Sequence, residues 1–320
     1  ASYGDAGYDI VFCVGGQFMS MLYGWDGPKI PEQYPNTLWV LVPGAGYSDQ
    51  ASLLALGPAF QVVGHYLAGM LAAKMTTTGA VGWIVGVWYA PSYLCMECNA
   101  FIAGVHSVDP SIVVYTREVG GANPWGDPAA GKLIAEALID TYNVDIIVHV
   151  ADFSGRGVIQ ACVERDIMVI GCVADQWSLA PDNMLTSILL DTSRFMDMIV
   201  QCVLGGQFLG YKSIDVDLSA LAPFHNLDPS VPQDVKDLLA AIENLIRTDA
   251  NFDGKVDMKD IGLAAKAFGS FPGHSRWTPM VDFNGDNKID MKDIGKAARN
   301  FGKIFTPVPL NPSKPPEHSP

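Results

Sequence analysis

DIIVHVADFSGRGVIQACVERDIMVIGC, residues 145–172, is the stretch that decides the fold. It opens on Asp145–Val150, an apolar and largely β-branched run that contains a single imidazole, His149. A glycine-bearing turn follows, then apolar residues at helical spacing through Arg156–Arg165, then a second apolar run, Ile167–Cys172. Strand, turn, amphipathic helix and strand make one βαβ unit. Strands this uniformly apolar belong to a parallel sheet covered by helices on both faces.

The same alternation extends outward from this unit. Tyr8–Val14, Thr37–Val42, Ala80–Val87 and Ile112–Tyr115 read as further strands. Val62–Met75, Pro91–Val105, Pro128–Tyr142 and Ser193–Leu204 carry helical spacing, and Pro232–Ile246 is one more amphipathic helix after an irregular segment, Leu221–Leu227. The expected fold class is α/β, with doubly wound parallel sheets. Ligands of such sheets bind beyond the carboxyl ends of the strands. Here those ends carry Val14-Gly15-Gly16, Val42-Pro43-Gly44, Gly120–Gly126, Asp152–Gly157 and Gly171–Gln176. None of them is a GxGxxG or Walker loop, so a dinucleotide or nucleoside triphosphate has no motif to bind.

Composition narrows the classes further. Among 320 residues, 20 Lys plus Arg stand against 34 Asp plus Glu, a net charge of −14, and the isoelectric point is near 4.6. That balance argues against a nucleic-acid partner, which needs clustered cations. Apolar residues make up 49 %, so the chain can bury a core. No apolar run approaches the roughly 20 residues of a membrane-spanning helix. Cys13, Cys95, Cys98, Cys162, Cys172 and Cys202 are scattered, and the lone Cys95-x-x-Cys98 lacks the second pair that a zinc site needs. Buried thiols, a disulfide and a redox role all stay open. His65, His106 and His149 are separated in sequence and read as core or surface histidines rather than ligands. No Gly-x-Ser-x-Gly elbow or His-Glu-x-x-His is present, so no enzyme activity is expected.

From Arg247 the chain changes character. Asp249-Ala-Asn251-Phe-Asp253-Gly254-Lys255-Val256-Asp257-Met-Lys-Asp260 recurs 33 residues later as Asp282-Phe-Asn284-Gly-Asp286-Asn287-Lys288-Ile289-Asp290-Met-Lys-Asp293. Each copy continues into a helical stretch that ends in Phe-Gly. Oxygen side chains at loop positions 1, 3, 5, 9 and 12, with the position-7 carbonyl of Lys255 or Lys288, are the donor set of a Ca²⁺ loop. Two Ca²⁺ ions are expected. Val256 and Ile289, at position 8, are expected to pair the two loops. Position 12 is Asp rather than the Glu of an EF-hand, and no helix precedes the first loop at EF-hand spacing. In these respects residues 247–303 resemble a type I dockerin, a duplicated Ca²⁺ module that docks onto cohesin domains. Thr306–Pro320, with six prolines, reads as a stiff, unpacked spacer.

The α/β body carries a second resemblance. Tyr8-Asp-Ile-Val11, His65-Tyr-Leu-Ala-Gly69, Gly79–Gly86, Phe101–Val105, Asp127–Lys132, Ala174-Asp-Gln176, Leu185-Thr-Ser187, Leu221–His225 and Val231–Lys236 fall in one order. This ordered set resembles the basic membrane lipoprotein family, the solute-binding receptors of ABC importers for purine nucleosides. The resemblance implies two Rossmann-like lobes of periplasmic-binding-protein type over residues 1–246, the first lobe lacking the family's N-terminal strand. It implies a nucleoside-like ligand, a permease partner and an extracellular location, with the membrane tether in a part outside this chain.

Carried over residue by residue, Trp125 stands where the family stacks a Phe on the base. Gly155 matches the family's glycine turn, and Asp152 with Phe153 replace its paired glycines. Asp175 matches the second acid of the family's Asp-x-Asp-Gln, whose first acid is Val173 here. The expected ligand set is therefore Trp125, Asp152, Gly155 and Asp175, with Asp152 able to supply the missing carboxylate. Trp125 reads also as loop packing, and Asp152 and Asp175 as turn residues. The competing reading is an extracellular scaffold that uses the fold and the Ca²⁺ module for chain-to-chain contacts, including self-assembly.

Overall fold

The computed structural model describes residues 2–42, 50, 52–56, 61–88, 93–190, 192–206, 212–214, 219–221, 228–309, 313–315 and 317–319. The strands are β1 (Ile10–Val14), β2 (Leu38–Val42), β3 (Leu53–Leu56), β4 (Ala80–Val85), β5 (Val113–Glu118), β6 (Ile146–Val150), β7 (Met168–Val173), β8 (Met184–Leu190), β9 (Lys212–Ile214), β10 (Ser219–Leu221) and β11 (His318–Ser319). The chain divides into two compact units. One comprises Ala1–Phe60, Asp191–Asp217 and Leu245–Phe305, the other Gln61–Leu190, Leu218–Asn244 and Thr306–Pro320.

The first unit holds a four-stranded parallel sheet in the order β1-β2-β3-β9. Every residue of β2 is buried, as its unbroken apolar sequence requires. Cys13, Leu22, Tyr23, Trp39, Leu41 and Leu53 form its core. The Ser193–Leu204 helix also belongs to this unit, as do the duplicated acidic loops, and Trp277 Nε1 donates to Met198 Sδ on that helix at 3.1 Å.

The second unit holds a seven-stranded sheet in the order β10-β8-β7-β6-β4-β5-β11. Its five central strands are parallel, and β10 and β11 run antiparallel at the two edges. β4 and β6 are buried along their whole length, whereas burial alternates along β5. The Val62–Met75 and Tyr93–Val108 helices pack on each other, and so do Pro128–Tyr142 and Gly155–Glu164. Ile84, Ala135, Leu138, Ile147, Val158 and Cys162 tie that second pair to the sheet.

The expected α/β class holds, and the expected helices Val62–Met75, Pro128–Tyr142 and Ser193–Leu204 form with those bounds. Two readings need correction, one open choice is settled, and some positions fall outside the described residues. β3, β8, β9, β10 and β11 were not foreseen, because runs such as Leu53–Leu56 are too short to stand out and Thr186-Ser187 interrupts the apolar pattern of β8. The Pro-rich end does not stand free. Glu317 accepts a hydrogen bond from Thr116 N–H at 2.8 Å, His318 and Ser319 pair with β5, and Ser313 C=O accepts from Asn99 Nδ2. All six cysteines are buried and unbridged. Pro43, Gly44, Pro91 and Ala222–Leu227 lie outside the described residues. Among the described residues, no helix is long and apolar enough to cross a membrane.

Candidate functional site

The second unit's sheet reverses its winding at β4. The chain places β5 on one side of β4 and then returns to lay β6 on the other. Diverging connections at such a switch point leave a crevice beyond the carboxyl ends of the two strands. Trp125 sits there, half-buried, on the loop after β5. Its ring occupies the space that a Cβ at Gly86, just past β4, would need. The Trp125 carbonyl accepts from Phe153 N–H at 3.0 Å and from Ser154 N–H at 3.3 Å, just past β6. Ser154 Oγ accepts from Asp127 N–H at 2.8 Å, and Asp127 caps the Pro128–Tyr142 helix through Ala130 N–H. The aromatic loop and the β6 turn are thus one hydrogen-bonded piece.

Three of the four expected ligand residues meet on this piece: Trp125, Asp152 and Gly155. Asp152 follows β6 with φ +44° and lies at the surface, and partial burial of its carboxyl raises it from its ordinary value. Gly155 makes room for a buried imidazole, since any Cβ there would strike the His149 ring. Asp175 lies past the neighbouring β7, where its Oδ1 accepts from Trp177 N–H at 3.1 Å, the turn role open to it from the sequence.

Sequence reasoning passed over a buried relay beneath these residues. Gln176 Oε1 accepts from Cys172 N–H at 3.1 Å and lies 3.0 Å from His149 Nε2. A backbone N–H can only donate, so Oε1 is the acceptor and Nε2 carries the imidazole proton. Burial pushes His149 down to about 4, which leaves the ring neutral near pH 7. Gln176 N–H donates in turn to Ser187 Oγ at 3.0 Å. The signal available for this relay was one imidazole inside an otherwise apolar strand. The sequence marks Val173 only as standing in place of an acid and gives no sign of its backbone, which ends β7 at φ +74° with 46 % of the residue's surface exposed. Phe153 and Trp177 are exposed nearby in the chain, and the Arg156 guanidinium lies 4.8 Å from the Phe153 ring centre.

The duplicated loops form a second candidate site, in the other unit. Asp249 accepts from Asp253 N–H at 3.2 Å and Gly254 N–H at 2.8 Å. Asp282 accepts from Asp286 N–H at 3.2 Å and Asn287 N–H at 3.0 Å. Asp260 accepts from Ala250 and Asp257 N–H, and Asp293 from Asn284 and Asp290 N–H. Asn251 and Asn284 accept from the backbone of Asp253 and Asp286. Asp257 and Asp290 cap the Met258–Ala267 and Met291–Asn300 helices. Lys255 and Lys288 donate their backbone N–H groups to Asp253 and Asp286, so their carbonyls are held by the same turn.

Both loops need left-handed backbone at positions 4 and 6: Phe252 and Gly254 in one, Gly285 and Asn287 in the other. Asp249, Asp260, Asp282 and Asp293 are buried. Burial pushes the Asp249 carboxyl up to about 6, with Asp260 and Asp253 adding to the rise. Lys259 and Lys292 reach the position-5 carboxylates of Asp253 and Asp286 at 2.8 and 2.9 Å. Among the described residues, no three His, Cys, Asp or Glu side chains converge as a ready-made metal cage. An oxygen cage here has to draw on Asn251 or Asn284 and a backbone carbonyl as well.

Two details of the loops differ from expectation. A helix does precede the first loop: Gln233–Thr248 runs directly into Asp249. The backbones of Val256 and Ile289, where the two loops were expected to meet, do not bond each other. Val256 exchanges backbone hydrogen bonds with Gly302 and Lys303, and Ile289 with Gly269 and Ser270. Each loop is thus braced by the end of the other repeat's helix. The reason is that each helix ends in a tight turn, Phe268 and Phe301 at φ −52° and −53° followed by Gly269 and Gly302 in the left-handed region, which carries the chain alongside the opposite loop.

Comparison with known proteins places the body of the chain. The family model described as ABC transporter substrate-binding protein, PnrA-like, matches residues 3–246. A purine-binding protein of Brucella abortus is 29 % identical over 245 residues, covering 74 % of this chain and 66 % of that protein. Basic membrane protein A of Borreliella burgdorferi is 27 % identical over 217 residues, covering 65 % and 60 %. The chain thus spans a little under two thirds of the length of these relatives. Among solved structures, an ABC transporter solute-binding protein of Aeropyrum pernix superposes with a TM-score of 0.62 at 18 % identity, covering 77 % of each chain, and shares the fold. With more than half of its residues matched in one continuous stretch, this chain belongs to the PnrA-like family of ABC transporter substrate-binding proteins.

Proposed function

We propose that the protein is the solute receptor of an ABC importer, binding a nucleoside or a similar small planar solute at the carboxyl edge of its seven-stranded sheet. The observation that carries this reading is the half-buried Trp125 at the switch point, hydrogen-bonded through its carbonyl to the turn that bears Asp152. An indole offers a flat stacking surface, and a neighbouring carboxylate accepts from ring or ribose donors. The receptor works outside the cell and delivers its solute to a membrane permease. Millimolar extracellular calcium then fills the duplicated loops, each ion taking side-chain oxygens at positions 1, 3, 5, 9 and 12 and the carbonyl of Lys255 or Lys288. Four buried carboxylates, one of them raised to about 6, favour that reading, because buried negative charge is costly unless a cation offsets it. The resemblance to a dockerin makes a cohesin-like protein the candidate partner of that module.

Thermal unfolding in millimolar calcium, with a panel of purine and pyrimidine nucleosides and their free bases, tests the receptor reading. A solute present at 100 times its Kd adds about 2.7 kcal/mol of stability. Silence across the whole panel removes the reading. The same experiment with a chelator in place of calcium should lower the unfolding temperature, and indifference to chelation removes the calcium part.

A further inference from the structure

The groups exposed at the carboxyl edge of the second unit are of two kinds. Flat or aliphatic surface dominates: Phe153 is 52 % exposed, Val173 46 % and Trp177 39 %, and the half-buried Trp125 is bonded through its carbonyl to Phe153 N–H. Arg156 lies over the Phe153 ring, which keeps that ring presented as a platform. The polar side chains beneath are committed to each other. Gln176 Oε1 already serves both His149 and Cys172 N–H, Gln176 N–H is taken by Ser187, and an Asp175 oxygen is taken by Trp177 N–H. Asp152 remains as the carboxylate that follows β6 directly, next to the aromatic platform.

Val173 is the informative residue. A β-branched side chain at φ +74° is a steric outlier, and such strain persists where the surroundings hold it at a working site. Its isopropyl group is not recovered by burial, since nearly half of the residue is exposed. It presents apolar surface at the end of β7, next to β6 in the sheet. Hydroxyl groups brought against it would lose water and gain no partner.

Taking the solute-receptor reading as its premise, we propose that Val173 determines specificity and that the site takes a planar nitrogen heterocycle, donating a ring N–H to Asp152, in preference to the same ring bearing a sugar. The preferred class is the free nucleobase, ahead of the nucleoside. A site that leaves substrate hydroxyls unpaired discriminates against them by the same physics that rewards paired ones.

Titration calorimetry on the full chain in millimolar calcium tests this, with adenine, guanine, hypoxanthine and uracil against adenosine, guanosine, inosine and uridine. The expected result is that the best free base binds at least tenfold tighter than its own nucleoside. Val173→Asp should narrow or reverse that ratio by about tenfold, and Asp152→Asn should weaken the base. The wild-type ratio stands on its own if either variant folds poorly. Tenfold preference for the nucleoside, or equal affinity, overturns this proposal and leaves the receptor reading in place. Silence towards every base and nucleoside overturns both.

Discussion

The duplicated loops and the carboxyl edge of the seven-stranded sheet use the same materials: carboxylates, backbone N–H groups and left-handed turns. They differ in how these are assembled. Each loop is folded by carboxylates within twelve consecutive residues, and most hydrogen bonds in Asp249–Asp260 have a twin in Asp282–Asp293. The sheet edge is gathered from the ends of three strands and one loop, and no bond there is repeated elsewhere. The loops place tolerant residues at three of four left-handed positions, Phe252 being the exception, whereas the sheet edge places Val173 at one of its own. Local sites are cheap to build and easy to read, while sites built across a sheet hold strain because the scaffold fixes the backbone first.

The largest effect should come from breaking the twin symmetry. Asp293 is buried and accepts from Asn284 N–H at 3.2 Å and Asp290 N–H at 2.9 Å. Asp293→Ala removes both bonds, the second being its half of the capping box, and should cost about 3–6 kcal/mol, at roughly 1.5–3 kcal/mol for each bond to a charged acceptor. Because Val256 and Ile289 are each braced by the opposite repeat, the loss should spread to the intact loop. Trp277 fluorescence during urea unfolding in calcium measures it, and an unchanged midpoint would show the two repeats to be independent of this carboxylate.

What was legible in the sequence divides along the same line. The repeated acidic turns follow from spacing alone, and the buried central strands β2, β4 and β6 follow from unbroken apolar runs. The crossed bracing of the loops was not legible, because it joins residues 46 or more positions apart for Val256 and a mirrored pair for Ile289 with no side-chain pattern to mark it. Gln176 and Ser187 were invisible as a relay for a similar reason. Their partner, His149, lies on another strand, and only the parallel register of β6, β7 and β8 brings the three together. The edge strand β11 escaped notice because a proline-rich segment rarely adds to a sheet except at its margin, which is where it pairs.

A second effect, confined to the second unit, comes from proton linkage. His65 and His149 are both fully buried, and burial holds each at about 4 against an ordinary value of 6.5. The unfolded chain takes up protons first as pH falls, so this contribution is complete above about pH 6.5 and is lost on descending towards pH 4. Each imidazole should cost about 3 kcal/mol across that window, at about 1.4 kcal/mol per unit. Imidazole C–H resonances of the folded protein at pH 5.5 should still report the neutral form for both rings. A ring that titrates near 6.5 would mean that water reaches it, and the relay through Gln176 would then not be closed.

The smallest effect isolates the strain. Moving an L-residue into the left-handed region costs about 1–2 kcal/mol, and Asn tolerates that region better than a β-branched side chain. Val173 loses little packing on replacement because it is nearly half exposed. Val173→Asn should therefore raise the urea midpoint, by an amount equal to about 1 kcal/mol, whereas a replacement that merely trimmed useful contacts would lower it. A stabilised variant that also binds sugar-bearing rings better would tie the strain to selectivity. A destabilised one would place the isopropyl group in the fold's packing, and the sheet edge would then resemble the loops in having each residue suited to its own backbone.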